Sequence, residues 1–258
     1  MGLFDAMATS TMGVSAQSYA LNNISGNIAN ASTAGFKGTD TSFADLLDQT
    51  GSGVRMTSRA STHVQGSVAT SDVATNLAIS GNGYFVVRQN TGSTDAPAFT
   101  GDTAYTRRGD FAPDANGYLA NGAGNYLFAG PSASAPVRVS SADSASLASV
   151  SVANDGSLTA TYGDGSTKSL GQVTLAQFGS QDGLEATDGG AYLATDRSGP
   201  PSFGLNGATL TAGSVEQSNV GISDQFSKMI ETQQAYTANT KVLNASDEML
   251  QDAITMYV

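Results

Sequence analysis

Apolar residues recur every seven positions at both ends of the chain. A strict seven-residue repeat turns a narrow apolar seam toward a partner helix rather than toward a broad globular core. The pattern therefore predicts a helix at each end of the chain, with a seam that meets another helix. The C-terminal repeat consists of Ile222, Met229, Tyr236, Leu243, Leu250 and Tyr257, and the N-terminal repeat of Met7, Val14, Leu21 and Ile28, with Leu3 and Ile24 on a companion stripe.

A second stripe of the C-terminal helix mixes apolar and polar residues: Phe226, Gln233, Thr240, Asp247 and Ile254. Polar residues at seam positions commonly set the register or the number of partners at some cost in stability. This favours association of helices from several chains over an intramolecular core within one chain. The residues expected to carry self-assembly are Met7, Val14, Leu21, Ile24, Ile28, Ile222, Phe226, Met229, Tyr236, Leu243, Leu250, Ile254 and Tyr257.

Neither terminal helix is expected to be stable alone. Each fully buried stripe residue contributes ~1.5–3 kcal/mol, whereas ordering the backbone costs ~1–2 kcal/mol per residue. The first helix also carries four Asn residues near its end, at positions 22, 23, 27 and 30, and Asn is a poor helix former. We therefore expect both termini to be largely disordered in the free monomer and to fold when neighbouring copies arrive.

Local signals place the ends of these helices. The first is expected from about Leu3 to Asn30, where the stretch from Asn30 to Gly35 supplies stop signals. The second is expected to begin near Ser218 or Ser223, since either hydroxyl could cap it. Asp224 and Lys228 would then form a favourable pair one helical turn apart.

The sequence pattern in the middle of the chain predicts β-structure. Short apolar runs alternate with Gly-rich turns, and Asn-Gly, which occurs at residues 116–117 and 121–122, is the strongest short-range hairpin signal. Strands at this spacing favour an antiparallel barrel or sandwich. The runs are Leu77–Ile79, Tyr84–Val87, Ala104–Thr106, Tyr118–Leu119, Tyr126–Phe128, Val150–Val152, Leu158–Thr161 and Val173–Ala176.

The predicted fold class is α+β, with long terminal helices forming a coiled-coil layer that extended connectors join to a barrel- or sandwich-like antiparallel domain. The expected segments are an N-terminal helix, a Thr- and Ser-rich connector, a β-rich domain, a Gly- and Pro-rich connector and a C-terminal helix. Their boundaries are 1–35, 36–75, 76–197, 198–217 and 218–258.

Composition excludes several classes of function. The net charge of −11 argues against nucleic acid, because phosphate contacts need clustered Lys and Arg. Without Cys the chain has no disulfide, zinc thiolate or thiolate nucleophile. No apolar run approaches the ~20 residues that span a bilayer, so no membrane insertion is expected. The first basic residue is Lys37, so no signal peptide with a positive N-terminal region is expected.

Residues that might carry chemistry have simpler explanations. His63 is the only histidine and has no nucleophile or orienting acid beside it, so a bystander role is favoured. Gly81-Asn82-Gly83 lacks the third glycine of a dinucleotide loop and predicts a tight turn. Asp155-Gly156 and Asp164-Gly165 lack the alternating acids of a calcium loop and predict hairpin turns. No catalytic, cofactor or metal site is expected, and the chain is not expected to be an enzyme.

The pair Arg107-Arg108 lies close to Asp110, and two interpretations remain open. The two arginines could bind an anion. An ion pair with Asp110 at the end of a strand is the favoured alternative.

Four segments resemble the bacterial flagellar hook and basal-body rod proteins, and they occur in the order of that family. Any one of them is a weak signal, but the ordered set spans nearly the whole chain. The segments are Asn23–Asn30 with Thr33–Lys37, Leu77–Phe85, Tyr105–Phe111 with Gly117–Leu119 and Asn121–Gly122, and Val215–Val220 with Met229–Ile230, Gln233, Ala235–Tyr236 and Ala238–Asn239.

The resemblance implies that the terminal helices pack as an inner coiled-coil tube around an export channel, with the β-domain outside. The hollow polymer would transmit torque. It also implies three kinds of partner: further copies of this chain, adjoining axial proteins, and the flagellar type III apparatus that exports subunits unfolded without a cleavable signal peptide. The expected location is the hook or basal body of the flagellum.

The resemblance leaves hook and rod membership open. The length of 258 residues suits a rod protein, whereas Ile24–Ile28 and Tyr105–Phe111 are closer to hook-type sequences. Two other classes of function compete with the axial one. One is an extracellular adhesin with a helical stalk and a β head, and the other is a hydrolase that uses paired acids.

Overall fold

The structure, a computed structural model, describes residues 3–48, 51–93, 97–139 and 147–256, with the backbone alone described at 45–48 and 51–53. The chain divides into two compact units. The first, called the helical unit, comprises the described parts of Met1–Ala31, Gly38–Ser61 and Val220–Val258. The second, called the β unit, comprises Ser32–Lys37 and the described parts of Thr62–Asn219.

Two long helices form most of the helical unit: α1, Leu3–Ala29, and α2, Ile222–Thr255. The predicted helix at each end of the chain is confirmed. The predicted Ser218 and Ser223 caps of α2 are wrong, because Gly221 precedes the helix and no side chain caps it. Instead, the Gly221 carbonyl accepts from the Gln225 N–H at 3.1 Å. Asp224 in the first turn complements the positive end of the helix.

The two helices run antiparallel within the helical unit. Asn27 of α1 bonds to Gln225 of α2, whereas Gly13 of α1 faces the side chain of Asn239. Residues later in α1 therefore lie next to residues earlier in α2. The helices share a face inside this unit, but a coiled coil between copies remains a prediction.

A β-hairpin completes the helical unit. Strand β1, Thr39–Asp48, pairs with β2, Gly51–Ala60, in a continuous antiparallel register. The hairpin is bonded to α1, because Asn27 donates to the Thr39 carbonyl at 2.9 Å and Tyr19 donates to Ser58 Oγ at 2.9 Å. The composition of residues 36–75 had predicted an extended connector here. The polar composition of residues 39–60, which contain no Asn-Gly pair, concealed the pairing.

The β unit is built from short strands. They are β3 Val68–Thr70, β4 Leu77–Ser80, β5 Tyr84–Gln89, β6 Ala104–Thr106, β7 Phe111–Pro113, β8 Leu119–Asn121, β9 Asn125–Ala129, β10 Ala135–Pro136, β11 Leu147–Val152, β12 Ser157–Tyr162, β13 Thr167–Gln172, β14 Leu175–Gln177, β15 Glu185–Thr187, β16 Ala191–Leu193, β17 Ser202–Phe203, β18 Thr209–Ala212 and β19 Ser214–Glu216.

The main sheet of the β unit is open. Its path runs β15-β16-β6-β5-β9-β8-β7, with β10, β14 and β17 paired off this path. The β domain is antiparallel as expected, but the predicted barrel is wrong, since β15 and β7 do not pair to close it. A sandwich is not confirmed either. Strand spacing indicates hairpins but does not encode which distant strands meet at the edges of a sheet.

Three smaller sheets surround this path, namely β11-β12-β13, β18-β4 and β19-β3. The last two pair residues near 68–80 with residues near 209–216, so the N- and C-terminal parts of the β unit are bonded to each other. Strands therefore occur within both segments that were expected to be connectors.

The core follows the alternation of strand β5. Phe85 and Val87 point into a large aliphatic cluster, and Tyr84 and Val86 point into a second cluster on the other face. The second cluster is aromatic, with Tyr84 packed edge-to-face on Phe178 and Tyr192. Both faces of β5 are thus buried, which explains its unbroken apolar run.

Candidate assembly surface and buried ion cluster

The face that α2 buries against α1 is unusually polar. One seven-residue stripe of α2 holds Met229, Tyr236, Leu243 and Leu250, all half-buried. Its companion stripe holds Gln225, Thr232, Asn239 and Ser246, of which Gln225 and Ser246 are fully buried. On α1 the buried residues are mostly small: Ser10, Ala16, Ala20, Ile24 and Asn27.

The structure distributes the residues expected for self-assembly over three environments. Ile24 is buried inside the helical unit, and Tyr257 lies outside the described residues. The half-buried group is Met7, Val14, Leu21, Ile28, Met229, Tyr236, Leu243 and Leu250. The exposed group is Ile222, Phe226 and Ile254, with 49%, 50% and 57% of each residue accessible.

Further exposed apolar residues were missed from the sequence. Val242 and Met249 on α2, and Met256 directly after its last residue, are exposed and repeat every seven positions. Ile230 on α2 and Phe4 on α1 are exposed as well. A search for a second apolar stripe of the same period would have found the first three. We call Val242, Met249 and Met256 the outer stripe of α2.

A cleft of about 170 Å³ opens between α1, β1 and the first turns of α2. Its apolar lining includes Ile24 and Phe43, and Phe43 is 45% exposed. An exposed ion pair lies beside it, with Lys228 Nζ 2.8 Å from Asp40 Oδ1. The sequence had predicted a pair between Lys228 and Asp224 on the same helix instead.

A cluster of three charged side chains is buried in the β unit. Glu216, at the end of β19, has a fully buried carboxylate, and Lys37 is equally buried beside it. Lys37 Nζ lies 2.5 Å from Glu216 Oε1, and Arg107 Nη1 lies 3.3 Å from Glu216 Oε2. We call Lys37, Arg107 and Glu216 the ion cluster.

Backbone groups satisfy most of the remaining bonding capacity of the ion cluster. Lys37 Nζ donates to the Val64 carbonyl at 2.7 Å, and Arg107 Nη2 donates to the Gly81 carbonyl at 2.7 Å. The Gly66 N–H donates to Glu216 Oε1 at 2.9 Å. The Arg107 guanidinium also lies over the Tyr84 ring, 5.4 Å from its centroid.

Two glycines allow the backbone to approach the cluster closely. Gly35 has a φ of +66°, and a Cβ there would lie 2.5 Å from the Arg107 carbonyl carbon. A Cβ on Gly66 would overlap the Gln217 carbonyl oxygen. Both positions therefore require glycine.

Burial perturbs the acid–base chemistry around this cluster. Desolvation lowers the pKa of Lys37 from its usual value, and this effect exceeds the opposing hydrogen bond and charge of Glu216. Desolvation raises the pKa of Tyr84 to about 12 and raises that of Tyr192 as well. The arrangement contains two cations and one carboxylate, but no nucleophile with an adjacent base. It can bind segments together without performing chemistry.

Most of the other charged residues singled out in the sequence bond to residues close to them along the chain. Arg108 forms a two-bond ion pair with Asp110, at 2.7 and 2.8 Å, which confirms the favoured interpretation for that residue. Arg107, however, turns inward to Glu216, which sequence proximity did not suggest. Asp155 and Asp164 accept from the hydroxyl groups and then the N–H groups of Ser157 and Ser166 in turns, and these bonds lower the pKa of both carboxyls.

Within the described residues, no three His, Asp or Glu side chains come together to hold a metal ion. Neither α1 nor α2, as far as each is described, combines the length and apolarity that crossing a membrane requires.

Three family models match this chain in sequence order. The model described as flagella basal body rod protein matches residues 7–37, and the flagellar hook protein FlgE/F/G D1 domain matches residues 78–160. The flagellar basal body rod FlgEFG protein C-terminal model matches residues 211–256. Each matched region contributes one member of the ion cluster: Lys37, Arg107 and Glu216, respectively.

Full-length relatives agree with these matches. The flagellar basal-body rod protein FlgG of Buchnera aphidicola subsp. Acyrthosiphon pisum is 34% identical over 94% of this chain and 95% of its own length. FlgG of Bacillus subtilis is 30% identical over 92% of both chains. The flagellar hook protein FlgE of Brucella abortus is 40% identical, over 49% of this chain and 31% of its own length. The chain therefore belongs to the flagellar hook and basal-body rod protein family, whose members are structural parts of the flagellum rather than enzymes.

Proposed function

We propose that this chain is a rod-type axial subunit that polymerises through its terminal helices into a hollow tube. The helices line the export channel of that tube, and the polymer transmits torque along the flagellum. The observation that carries this proposal is the outer stripe of α2, which leaves Val242, Met249 and Met256 exposed although α2 already packs on α1.

An exposed apolar stripe on a packed helix supports polymerisation. Contiguous exposed apolar surface marks an interaction site far more often than scattered single residues do. Val242 and Met249 are 48% and 54% exposed. Ala238, one turn before Val242, and Ala245, between the two, extend the same stripe at spacings of four, three and four residues. Alternating spacings of four and three residues are those of a seam that meets another helix.

The choice between rod and hook rests on coverage. The rod proteins from Buchnera and Bacillus align over more than nine tenths of their own length, whereas the hook protein from Brucella aligns over 31% of its own length. The hook relative is thus a longer protein of which this chain matches a part. This difference in coverage supports the rod-type subunit that we propose.

The proposed partners are further copies of this chain, adjoining axial proteins and the flagellar type III export apparatus. In this proposal, residues 1–35 and 218–258 are the assembly segments, residues 76–197 form the β domain, and residues 36–75 and 198–217 link them. Export proceeds without a cleavable signal peptide.

Electron microscopy of the purified chain after seeding tests the proposal. A rod-type subunit should remain monomeric when dilute and grow into straight tubes from seeds of the same protein. A curved tube would indicate a hook-type subunit. Small closed oligomers, which a stalked adhesin would form, would refute axial polymerisation.

A further inference from the structure

The ion cluster lies close in sequence to the points where the chain passes between its two units. Those crossings follow residues 31, 37, 61 and 219. Lys37 immediately precedes the second crossing, and Glu216 lies three residues before the last. Val64 and Gly66, which bond to the cluster, follow soon after the third.

Inside the β unit, the segments next to these crossings are bonded directly to one another. The Gly35 N–H donates to the Glu216 carbonyl at 2.7 Å, and the Asn219 N–H donates to the Phe36 carbonyl at 3.3 Å. Asn219 Nδ2 also donates to the Val64 carbonyl at 3.0 Å. Three segments that are far apart in sequence thus meet around one carboxylate.

Arg107 connects this meeting point to the main sheet. It follows strand β6, which pairs with β5 and β16. Its guanidinium bonds to Glu216 and to the Gly81 carbonyl just before β5, and it lies over Tyr84 within β5. Through Arg107, Glu216 therefore connects the crossing segments to the start of β5, whose first four residues are buried.

We propose that the ion cluster is a clasp that shares mechanical load among the crossing segments and passes it to the main sheet. This inference rests on the proposed function, because only a subunit under torque needs such sharing. Without the clasp, a force that enters the β unit through one segment would peel that segment away. With the clasp, the same force must displace three segments and the sheet together.

The charge balance makes Glu216 the essential member of the clasp. Among the described residues, it is the one carboxylate that pairs with Lys37 or Arg107. Loss of its charge leaves two buried cations uncompensated, which is strongly unfavourable. Loss of the Lys37 charge leaves Arg107 and Glu216 as a balanced pair.

Amide hydrogen exchange on the full-length dilute protein tests the clasp locally. The comparison is between the unchanged chain, Glu216→Gln and the milder Lys37→Met. In Glu216→Gln, exchange at the N–H groups of Gly35, Gly66 and Asn219 should accelerate roughly ten- to a hundredfold, because charge-assisted bonds are lost. Amides of Phe85 and Leu127 in the core strands, which exchange when the whole β unit unfolds, report the loss of global stability separately. Lys37→Met should accelerate the same three amides to a smaller extent.

The matched control is Asp110→Asn, which removes the partly exposed ion pair with Arg108 without touching the cluster. It should leave the three amides unchanged. Equal acceleration in this control, or no acceleration in either cluster variant, would overturn the clasp.

The bending stiffness of seeded tubes tests load sharing itself. Tubes of the Lys37→Met variant, which keeps a balanced pair, should be measurably more flexible in electron micrographs than tubes of the unchanged chain, and Asp110→Asn tubes should match the latter. If the Lys37→Met tubes have unchanged stiffness, the load-sharing proposal is wrong while polymerisation stands. If the unchanged chain forms no tubes from seeds, the proposed function itself fails.

Discussion

Asn27 of α1 donates through Nδ2 to Oε1 of Gln225 on α2, at 3.1 Å, and both residues are buried. The end of the helix pair where α1 finishes and α2 begins is therefore held by an amide–amide bond rather than by an apolar contact. Thr232, Asn239 and Ser246 continue the same polar stripe along α2. Polar groups at such positions favour one register over others but contribute less stability than apolar residues.

This polar seam predicts helices that depend on neighbours. In the dilute monomer, backbone amides of α1 and α2 should exchange rapidly, because the pair buries little apolar surface. In the polymer the same amides should be protected, since the outer stripe is then covered. Hydrogen exchange before and after seeding measures both states. Full protection of both helices in the dilute monomer would contradict the prediction.

Two glycines of α1 offer a matched comparison. A Cβ on Gly26 meets nothing within 4 Å, so Gly26→Ala should stabilise the helix by about 0.5–1 kcal/mol. A Cβ on Gly13 would lie 2.7 Å from Asn239 Nδ2, so Gly13→Ala should give a smaller gain, because Asn239 must move. Thermal unfolding of assembled tubes, followed by helical circular dichroism, measures the difference. A larger gain at Gly13 than at Gly26 would show that the helices do not pack as described.

A charge on the apolar stripes of α2 should block assembly. Leu243→Asp, Leu250→Asp and Met249→Asp should each abolish incorporation into tubes, because a buried unpaired carboxylate is costly. The β unit should stay folded, as shown by unchanged near-ultraviolet circular dichroism. Asn244→Asp adds the same charge at an exposed polar position of the same helix and should assemble normally. Normal motility and normal tubes in the three stripe variants would count against the assembly surface.

The ion cluster predicts an asymmetry in stability. Glu216→Gln should lower the free energy of unfolding of the β unit by about 3–5 kcal/mol, because it leaves buried charges unpaired. Lys37→Met should cost clearly less, since the Arg107–Glu216 pair remains. Urea unfolding of the two variants and the unchanged chain gives the comparison. Equal losses for both variants would mean that the excess positive charge has no energetic consequence.

Lys37 of the ion cluster and the neighbouring Tyr84 predict opposing effects on stability in alkali. Tyr84 stays neutral in the folded state up to a pKa of about 12, whereas in the unfolded chain it ionises near 10.0. The unfolded state therefore releases its proton first, and stability falls by up to about 2–3 kcal/mol between these pH values. Lys37 acts in the other direction, because its pKa is below 10.5 in the folded state. The folded state therefore loses the Lys37 proton before the unfolded state does. Its contribution to the free energy of unfolding rises as the pH increases from the folded pKa toward 10.5.

Lys37→Met should remove this opposing effect and leave Tyr84 unchanged. The stability of the variant should then fall more steeply than that of the unchanged chain as the pH approaches and passes 10. Urea unfolding at a series of alkaline pH values measures the slope. An identical slope in both proteins would contradict the lowered pKa of Lys37.

The pattern along the chain was sufficient for the helices and for much of the β-structure. The seven-residue repeats located α1 and α2, and apolar runs between Gly-rich turns located strands such as β5, β9 and β12. These features depend on periodicity and turn chemistry, which act between near neighbours. For the same reason, the family resemblance could be read from short segments, each of which keeps its local order.

Contacts between distant residues required the tertiary structure. The sequence placed Arg107 beside Asp110, but folding brings it to Glu216, which is 109 residues away along the chain. The hairpin of β1 and β2, the open sheet and the polar seam of α2 were missed for a related reason. Their stability comes from partners that only the folded chain brings together, and no local pattern of hydrophobic and polar residues records such pairings.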